Sequence, residues 1–215
     1  MIPLYHDFTD ETVVVFGGGP VGARKARRFS REATVIVVSP EFPVEAYGDS
    51  SLVRAAPRPE DVSVWFERLE PALAVAATND TSVNDAVERE ARSSGTLLNR
   101  ADRSGTRDVK SVVVPATVRD GDVSVAISTG ATSPALAKEL RRRIGAEIDG
   151  VGELATITAD VREELKARNV EPAVRRQAIR DIVQSSQVWK DLGRGNSNPS
   201  RTVDAAVDAA LGDQK

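Results

Sequence analysis

The segment Val13-Val-Val-Phe-Gly-Gly-Gly-Pro-Val-Gly-Ala-Arg-Lys-Ala-Arg-Arg-Phe29 constrains this chain more than any other. Val13 to Phe16 read as a buried strand, and three glycines break it. A helical pattern follows, with Val21, Ala26 and Phe29 apolar and Arg24, Lys25, Arg27 and Arg28 basic. The spacing Gly17-x-Gly19-x-x-Gly22, between strand and helix, is that of a dinucleotide-binding turn. The first glycine permits the tight turn. The second lets a pyrophosphate approach the backbone, and the third lets helix and strand pack closely. N–H groups left free at the helix start then face an anion. Gly18, Pro20 and Val21 complete this loop. The bland alternative is a glycine-rich turn in a doubly wound fold that holds no ligand.

The 215 residues allow one large domain or two small ones. Apolar residues make up 40% but aromatics only 4%, so the core must be built from Val, Ala, Leu and Ile. A net charge of −3 argues against nonspecific nucleic-acid binding. The absence of cysteine excludes disulfides, thiolate zinc sites and thiol catalysis. With His6 the one histidine, no metal site is expected, and His6 itself reads as a surface residue. No apolar run approaches the ~20 residues of a membrane span, and no basic-then-apolar leader opens the chain. The expectation is a soluble cytoplasmic protein with neither nucleic acid nor membrane as partner.

Val35 to Val38 form a second unbroken apolar strand, as parallel strands do. A dinucleotide site places Asp or Glu near the end of this strand for the ribose. Here Ser39 and Pro40 end it and Glu41 follows, so either Glu41 or the backbone around Pro40 takes that place. No arginine stands at this strand end to hold a 2′-phosphate, although the choice between NAD and NADP stays open. Leu52-Val53 reads as a weak strand and Val62 to Phe66 as a short helix. Leu73 to Thr78 is another strand, closed by Asn79-Asp80, and small polar residues at such an end lie in the ligand crevice. Thr81 or Ser82 is expected to cap a helix over 83–93. Thr96 to Asn99 is the next strand and delivers Asn99 and Asp102 to the same crevice. Ser111–Val118 and Val123–Thr129, joined at Asp120-Gly121, read as a hairpin outside the sheet, an arm for a second subunit. Ser133 and Pro134 open a helix to about Ile148, whose Lys138, Arg141, Arg142 and Arg143 have a solvated face as their bland reading. Helical patterns follow through Leu154, Ile157, Val161 and Leu165, then through Val174, Ala178, Ile179, Ile182 and Val183. Residues 193–200 read as a linker, and 202–211 as a loosely attached helix.

Several of these pieces recur together in one family. They are Gly17-Gly-Gly-Pro-Val-Gly-Ala-Arg-Lys-Ala26, Val38-Ser-Pro-Glu41, Ala76-Ala-Thr-Asn-Asp80 with Val83-Asn84, Leu98-Asn-Arg-Ala-Asp102, Val114-Pro115 and Val125-Ala-Ile-Ser-Thr-Gly-Ala-Thr-Ser-Pro-Ala-Leu-Ala137. In this order the chain resembles the precorrin-2 dehydrogenase family, the dehydrogenase module of siroheme synthase, some of whose members are also sirohydrochlorin ferrochelatases. The resemblance covers about residues 1–190. Its most specific parts are the Asn-x-x-Asp motif and the last stretch.

The resemblance implies NAD held through Pro20-Val21 and Pro40-Glu41, with Gly17, Gly18, Gly19, Gly22, Thr78 and Asn79 around it. It implies Asp102 as the catalytic aspartate and a homodimer. The fold class is then α/β. An N-terminal Rossmann-type parallel sheet (1–115) is followed by a small α+β dimerisation region (116–150), a helical C-terminal region (151–192) and a linker with tail helix (193–215). Oxidising a reduced tetrapyrrole removes a hydride and a proton; a nicotinamide takes the first and a carboxylate such as Asp102 the second. A substrate rich in carboxylates favours cationic side chains and helix N-termini. Asn99, Ser128, Thr129 and Lys138 are the candidate substrate contacts. The chain departs from the family in a longer loop between Asp102 and Pro115, in Thr129 where a serine is common, and in an extra tail over 196–215. A third reading adds iron insertion to the dehydrogenation, with Asp102 as the base for the pyrrole protons. The alternative from another class is a noncatalytic NAD-sensing module, which would need neither Asp102 nor the 130–137 stretch.

Overall fold

A computed structural model describes residues 3–103, 111–130, 132–192, 203–205 and 207–208. Five strands, β1 (Thr12–Phe16), β2 (Thr34–Ser39), β3 (Ser51–Arg54), β4 (Leu73–Ala76) and β5 (Leu97–Arg100), form one parallel sheet. Their order is β3-β2-β1-β4-β5. The chain builds outward from β1 to β3, then returns to place β4 on the free side of β1. This reversal is a topological switch point, and it opens a crevice at the carboxyl ends of β1 and β4.

The apolar run of β1 follows from burial on both faces. Val13 and Val15 pack with Ala23 and Ala26 of α1 (Pro20–Phe29). Val14 and Phe16 pack with Val62 and Phe66 of α2 (Val62–Leu69) and with Val83 and Val87 of α3 (Thr81–Ser94). The side chains of Val13, Val14, Val15 and Phe16 are fully buried, each worth roughly 1.5–3 kcal/mol relative to exposure. A strand covered on both faces has no polar alternation to show. Among the described residues, the crossover from β2 to β3 carries no helix. Tyr47 fills that place: it is 5% exposed, its ring meets Phe42 edge-on, and its hydroxyl donates to the Gly18 carbonyl at 2.5 Å.

Three boundaries differ from the sequence reading. Asp80, rather than Thr81 or Ser82, caps α3: its Oδ1 accepts from Ser82 N at 2.8 Å and Val83 N at 3.3 Å. A carboxylate at this position meets two free N–H groups at once, which a hydroxyl one residue later cannot do. Ser111 and Val112 are not hairpin residues. Ser111 bridges Leu98 in parallel, Val112 N donates to Leu98 O at 2.7 Å, and Val112 packs into the α1-side core. Pro115 has no N–H to continue a ladder, so the hairpin begins beyond it as β6 (Ala116–Asp120) and β7 (Val123–Ile127). Its two turn residues are Gly121 and Asp122, between the Asp120–Val123 pair, with Gly121 at φ 52°.

The chain divides into two compact units between Val114 and Pro115. In the second unit, α4 (Pro134–Glu147) lies along β6, and α5 (Val151–Ala167), α6 (Pro172–Gln184) and α7 (Ser186–Leu192) form a helical cluster. Leu154, Val161, Leu165, Ala178, Ile182 and Val188 make its centre. Val183 instead is 41% exposed, since Ile182 beside it takes the inward position. Helical Val203 and Val207 join the same core, so this part of the tail is attached rather than loose. The expected linker at 193–200 lies outside the described residues.

Candidate functional site

A cavity of about 400 Å³ lies outside the carboxyl ends of β1, β2 and β4. Three loops line it: Gly17–Gly19, Ser39–Glu41 and Ala77–Asp80. The structure therefore brings Gly17, Gly18, Gly19, Pro40, Glu41, Thr78 and Asn79 together, with Pro20, Val21 and Gly22 opening α1 beside them. Asn84, 1% exposed on α3, locks the Thr78 loop. Its Oδ1 accepts from the Thr78 hydroxyl at 2.8 Å, and its Nδ2 donates to Thr78 O at 3.0 Å. Asn84 was visible in the sequence only as part of a motif, without a role.

The glycine loop fits a bound pyrophosphate. Gly22 is required by the fold, because a methyl group there would run into the Gly17 carbonyl. Gly19 is not: its φ of −71° suits any residue, and a methyl group would meet nothing within 4 Å. What a side chain at 19 would obstruct is the open approach to the backbone. Gly19 is also the N-cap of α1 and carries no side-chain cap, while Pro20 at the first helical position has no N–H. The first turn of α1 thus begins at the crevice with no side-chain cap at Gly19, as an anion site requires, although the Val21 side chain lines a second cavity.

At the end of β2, Glu41 is exposed. The sequence offered no arginine here, but the sheet supplies one. Arg54 pairs in register with Ser39, donates to Pro40 O at 2.9 Å and lies over the Phe42 ring at 5.7 Å. Pairing of β3 with β2 brings it in from 14 residues away, which no local pattern reveals.

The expectation that Asn99 and Asp102 share this crevice is corrected. Alternation along β5 separates them: Leu97 packs on the α1 side, whereas Leu98 packs with α3. Asn99 lines a second cavity of about 250 Å³ with Arg24, Lys25, Arg103 and Val112. Its Nδ2 donates to Val112 O at 2.8 Å, and its buried Oδ1 has no partner among the described residues. Burial, then the nearby charges of Arg28 and Arg24, pushes the Lys25 ammonium down to about 8. In the sequence Lys25 shows only as one of the basic residues of the helix. Its position one turn after Val21, on the same stripe, was the available signal.

Asp102 lines neither cavity. Its carboxylate is gripped by Arg100, Nε to Oδ1 at 2.8 Å and Nη2 to Oδ2 at 2.7 Å. Those bonds hold the carboxyl below the usual carboxylate range, against a smaller opposing effect of burial.

Ser128, Thr129 and Lys138 belong to the second unit. Ser128 Oγ accepts from Gly130 N at 3.3 Å, Thr129 Oγ1 donates to Ser133 O at 3.1 Å, and Lys138 is exposed on α4. Ser133 caps α4 through Leu136 N at 3.2 Å, with Pro134 at the first helical position. Arg142 and Arg143 both hold Glu139 at 2.8 Å, so they are paired rather than simply solvated. His6 is exposed against Phe8. Among the described residues, no group of three His, Asp or Glu could hold a metal, and no helix is long and apolar enough to cross a membrane.

A family described as "Putative NAD(P)-binding" matches residues 4–116. The chain is 28% identical over 217 residues to a protein of Methanosarcina barkeri named precorrin-2 dehydrogenase, covering 98% of this chain and 95% of that one. It is 31% identical over 216 residues to a siroheme synthase of Methylococcus capsulatus, covering 97% of this chain and 44% of that one. A siroheme synthase of Methylobacillus flagellatus is 35% identical over 188 residues, 85% of this chain and 39% of its own. The chain therefore spans less than half of these siroheme synthases. Among solved structures, "SirC, precorrin-2 dehydrogenase" aligns with a TM-score of 0.73 at 24% identity, over 97% of this chain and all of that one, and shows the same fold. By the match over residues 4–116, which holds the glycine loop and all five parallel strands, the chain belongs to the NAD(P)-binding family.

Proposed function

We propose that this protein is an NAD-dependent precorrin-2 dehydrogenase, forming sirohydrochlorin for siroheme or a related tetrapyrrole. The observation that carries this reading is the switch-point crevice with an unobstructed Gly19, in a chain that aligns end to end with a precorrin-2 dehydrogenase. A noncatalytic sensor would share the crevice, but nothing beyond the fold favours it. When bound, NAD supplies the hydride acceptor. Gly17 to Gly22 and the α1 N-terminus hold its pyrophosphate. Pro40 and Glu41 flank its ribose, and Thr78 and Asn79 border it from β4. Asp102 takes the proton that leaves with the hydride. Asn99, Ser128, Thr129 and Lys138 orient the tetrapyrrole and its carboxylates. The siroheme synthase names favour a second step, iron insertion, in which Asp102 accepts the pyrrole protons and iron is substrate.

The test is anaerobic incubation with precorrin-2 and either NAD or NADP, following sirohydrochlorin absorbance. Faster turnover with NAD is expected. Glu41 would repel a 2′-phosphate, and Arg54 is already engaged by the Pro40 carbonyl and the Phe42 ring. A clear preference for NADP would overturn this and point to Arg54. Absence of turnover with both would overturn the dehydrogenase.

A homodimer through the hairpin and α4 belongs to the same proposal. Helix α4 has no buried residue, and its Leu136 is 50% exposed. Val118, Val123 and Val125 are only half-buried on a sheet of two strands, which is marginal alone in water. Light scattering at micromolar concentration should give about twice the 23.0 kDa chain mass, whereas a monomer mass would refute it.

A further inference from the structure

We propose that Arg100 is the positioning residue for Asp102, fixing the direction of its carboxylate through a two-point guanidinium clamp anchored on α3. The proposal rests on the reading of Asp102 as the proton acceptor. The Asn-x-x-Asp motif leaves position 100 open, and here Arg100 occupies it.

The Arg100 side chain is 7% exposed, and each of its nitrogens has a partner. Nε and Nη2 hold the two oxygens of Asp102 at 2.8 and 2.7 Å. Nη1 turns to α3 and donates to Asp85 Oδ1 at 2.9 Å, Glu88 Oε2 at 2.5 Å and Asn84 O at 3.1 Å. Arg103 closes the cluster, with Nη2 on Asp85 at 2.8 Å and Nη1 on Glu88 at 3.5 Å. Among the described residues, the charged groups of this cluster are Arg100 from β5, Asp85 and Glu88 from α3, and Arg103 next to Asp102, with Arg100 bonding the Asp102 carboxylate directly. Arg103 is 52% exposed and screened by water. Among the described residues, Arg100 is the buried positive charge set between these three carboxylates. The planar fork fixes both distance and plane of the carboxylate it grips. Each Asp102 oxygen keeps a second lone pair for an incoming proton. The loop residue is thereby held in one orientation before substrate arrives, which is where positioning lowers a barrier. The same clamp keeps the carboxyl ionised below the usual range, with the Arg100 hydrogen bonds as the largest cause.

Removing Arg100 raises the Asp102 pKa, so the protonated, inactive form extends to higher pH. Arg100→Gln and Arg100→Lys are compared with the wild type by two readouts. One is the titration of the Asp102 carboxyl carbon in protein labelled at aspartate, assigned by the signal missing from Asp102→Asn. The other is kcat against pH with precorrin-2 and NAD. In Arg100→Gln the carboxyl titration should move up by roughly one to three pH units. The acid limb of kcat should move with it, neutral-pH kcat should fall, and KM for NAD should stay unchanged. Arg100→Lys keeps a charge among Asp85, Glu88 and Asp102 but loses the fork, and should fall between. It also serves if the glutamine variant does not fold. An Asp102 titration that stays at the wild-type value in both variants overturns the clamp. A titration that moves while Asp102→Asn still turns over removes Asp102 as the base, a failure of the underlying reading that is seen separately.

Discussion

Asp102→Asn is expected to lower precorrin-2 turnover by ~10²–10⁴, the usual worth of a positioned acid–base group. NAD affinity should stay near wild type, because Asp102 lines no part of the nucleotide crevice. Asparagine keeps the shape and removes the proton acceptor. It also turns one acceptor of the Arg100 pair into a donor, and losing a charged hydrogen bond costs of order 1.5–3 kcal/mol. The pH dependence separates the two effects. The folded-state pKa of Asp102 lies below its unfolded value. Its pairing therefore stabilises the protein above the ordinary carboxylate range and is lost as pH falls through the folded value. Wild type and Asp102→Asn should differ in unfolding midpoint at neutral pH and converge in acid, while the loss of turnover persists wherever both are folded. Near wild-type turnover in folded Asp102→Asn would take Asp102 out of the chemistry. Lys25, with its ammonium pushed down to about 8 in the neighbouring cavity, would then be the next group to vary.

What the chain discloses about itself depends on how local the cause is. The β1–loop–α1 unit was legible because burial of both sheet faces writes an unbroken Val13–Phe16 run, and because Gly22 must clear the Gly17 carbonyl. The cap at Ser133-Pro134 was legible for the same reason, since donor and acceptor lie three residues apart. Arg54 was not, because it reaches the β2 end only through the register of β3 on β2. Tyr47 was not, because it stands in for a crossover helix with no helical pattern. Arg100 read as a spacer inside Asn-x-x-Asp. Its meaning lies in Asp85 and Glu88, which strand-to-helix packing brings to it from α3. Asn99 and Asp102 looked like one site from their spacing. The two-residue period of β5 sends neighbouring side chains to opposite faces, so Asn99 joins Val112 while Arg100 carries Asp102 toward α3.

Gly19→Ala is expected to fold as the wild type does and to bind NAD roughly 10- to 150-fold more weakly. The figure corresponds to about 1.5–3 kcal/mol for a lost hydrogen bond to a charged group. At φ −71° the backbone accepts alanine without strain, and the new methyl group meets no protein atom within 4 Å. Removing a glycine at such a position can even stabilise, by ~0.4–1 kcal/mol. The cost thus falls on whatever anion must come close to the first-turn N–H groups of α1. Gly22→Ala provides the contrast. Alanine is the better helix former by ~1 kcal/mol, yet its methyl group would run into the Gly17 carbonyl and force α1 from β1. Overpacking of this kind costs roughly 1–3 kcal/mol, so the clash should win and the unfolding midpoint should drop. Calorimetric titration with NAD and thermal unfolding, run on both variants, separate the two effects. Gly19→Ala should keep its midpoint and lose affinity, whereas Gly22→Ala should lose its midpoint first. Wild-type NAD affinity in Gly19→Ala would mean that no pyrophosphate passes over residue 19, and the cofactor would have to lie elsewhere in the crevice.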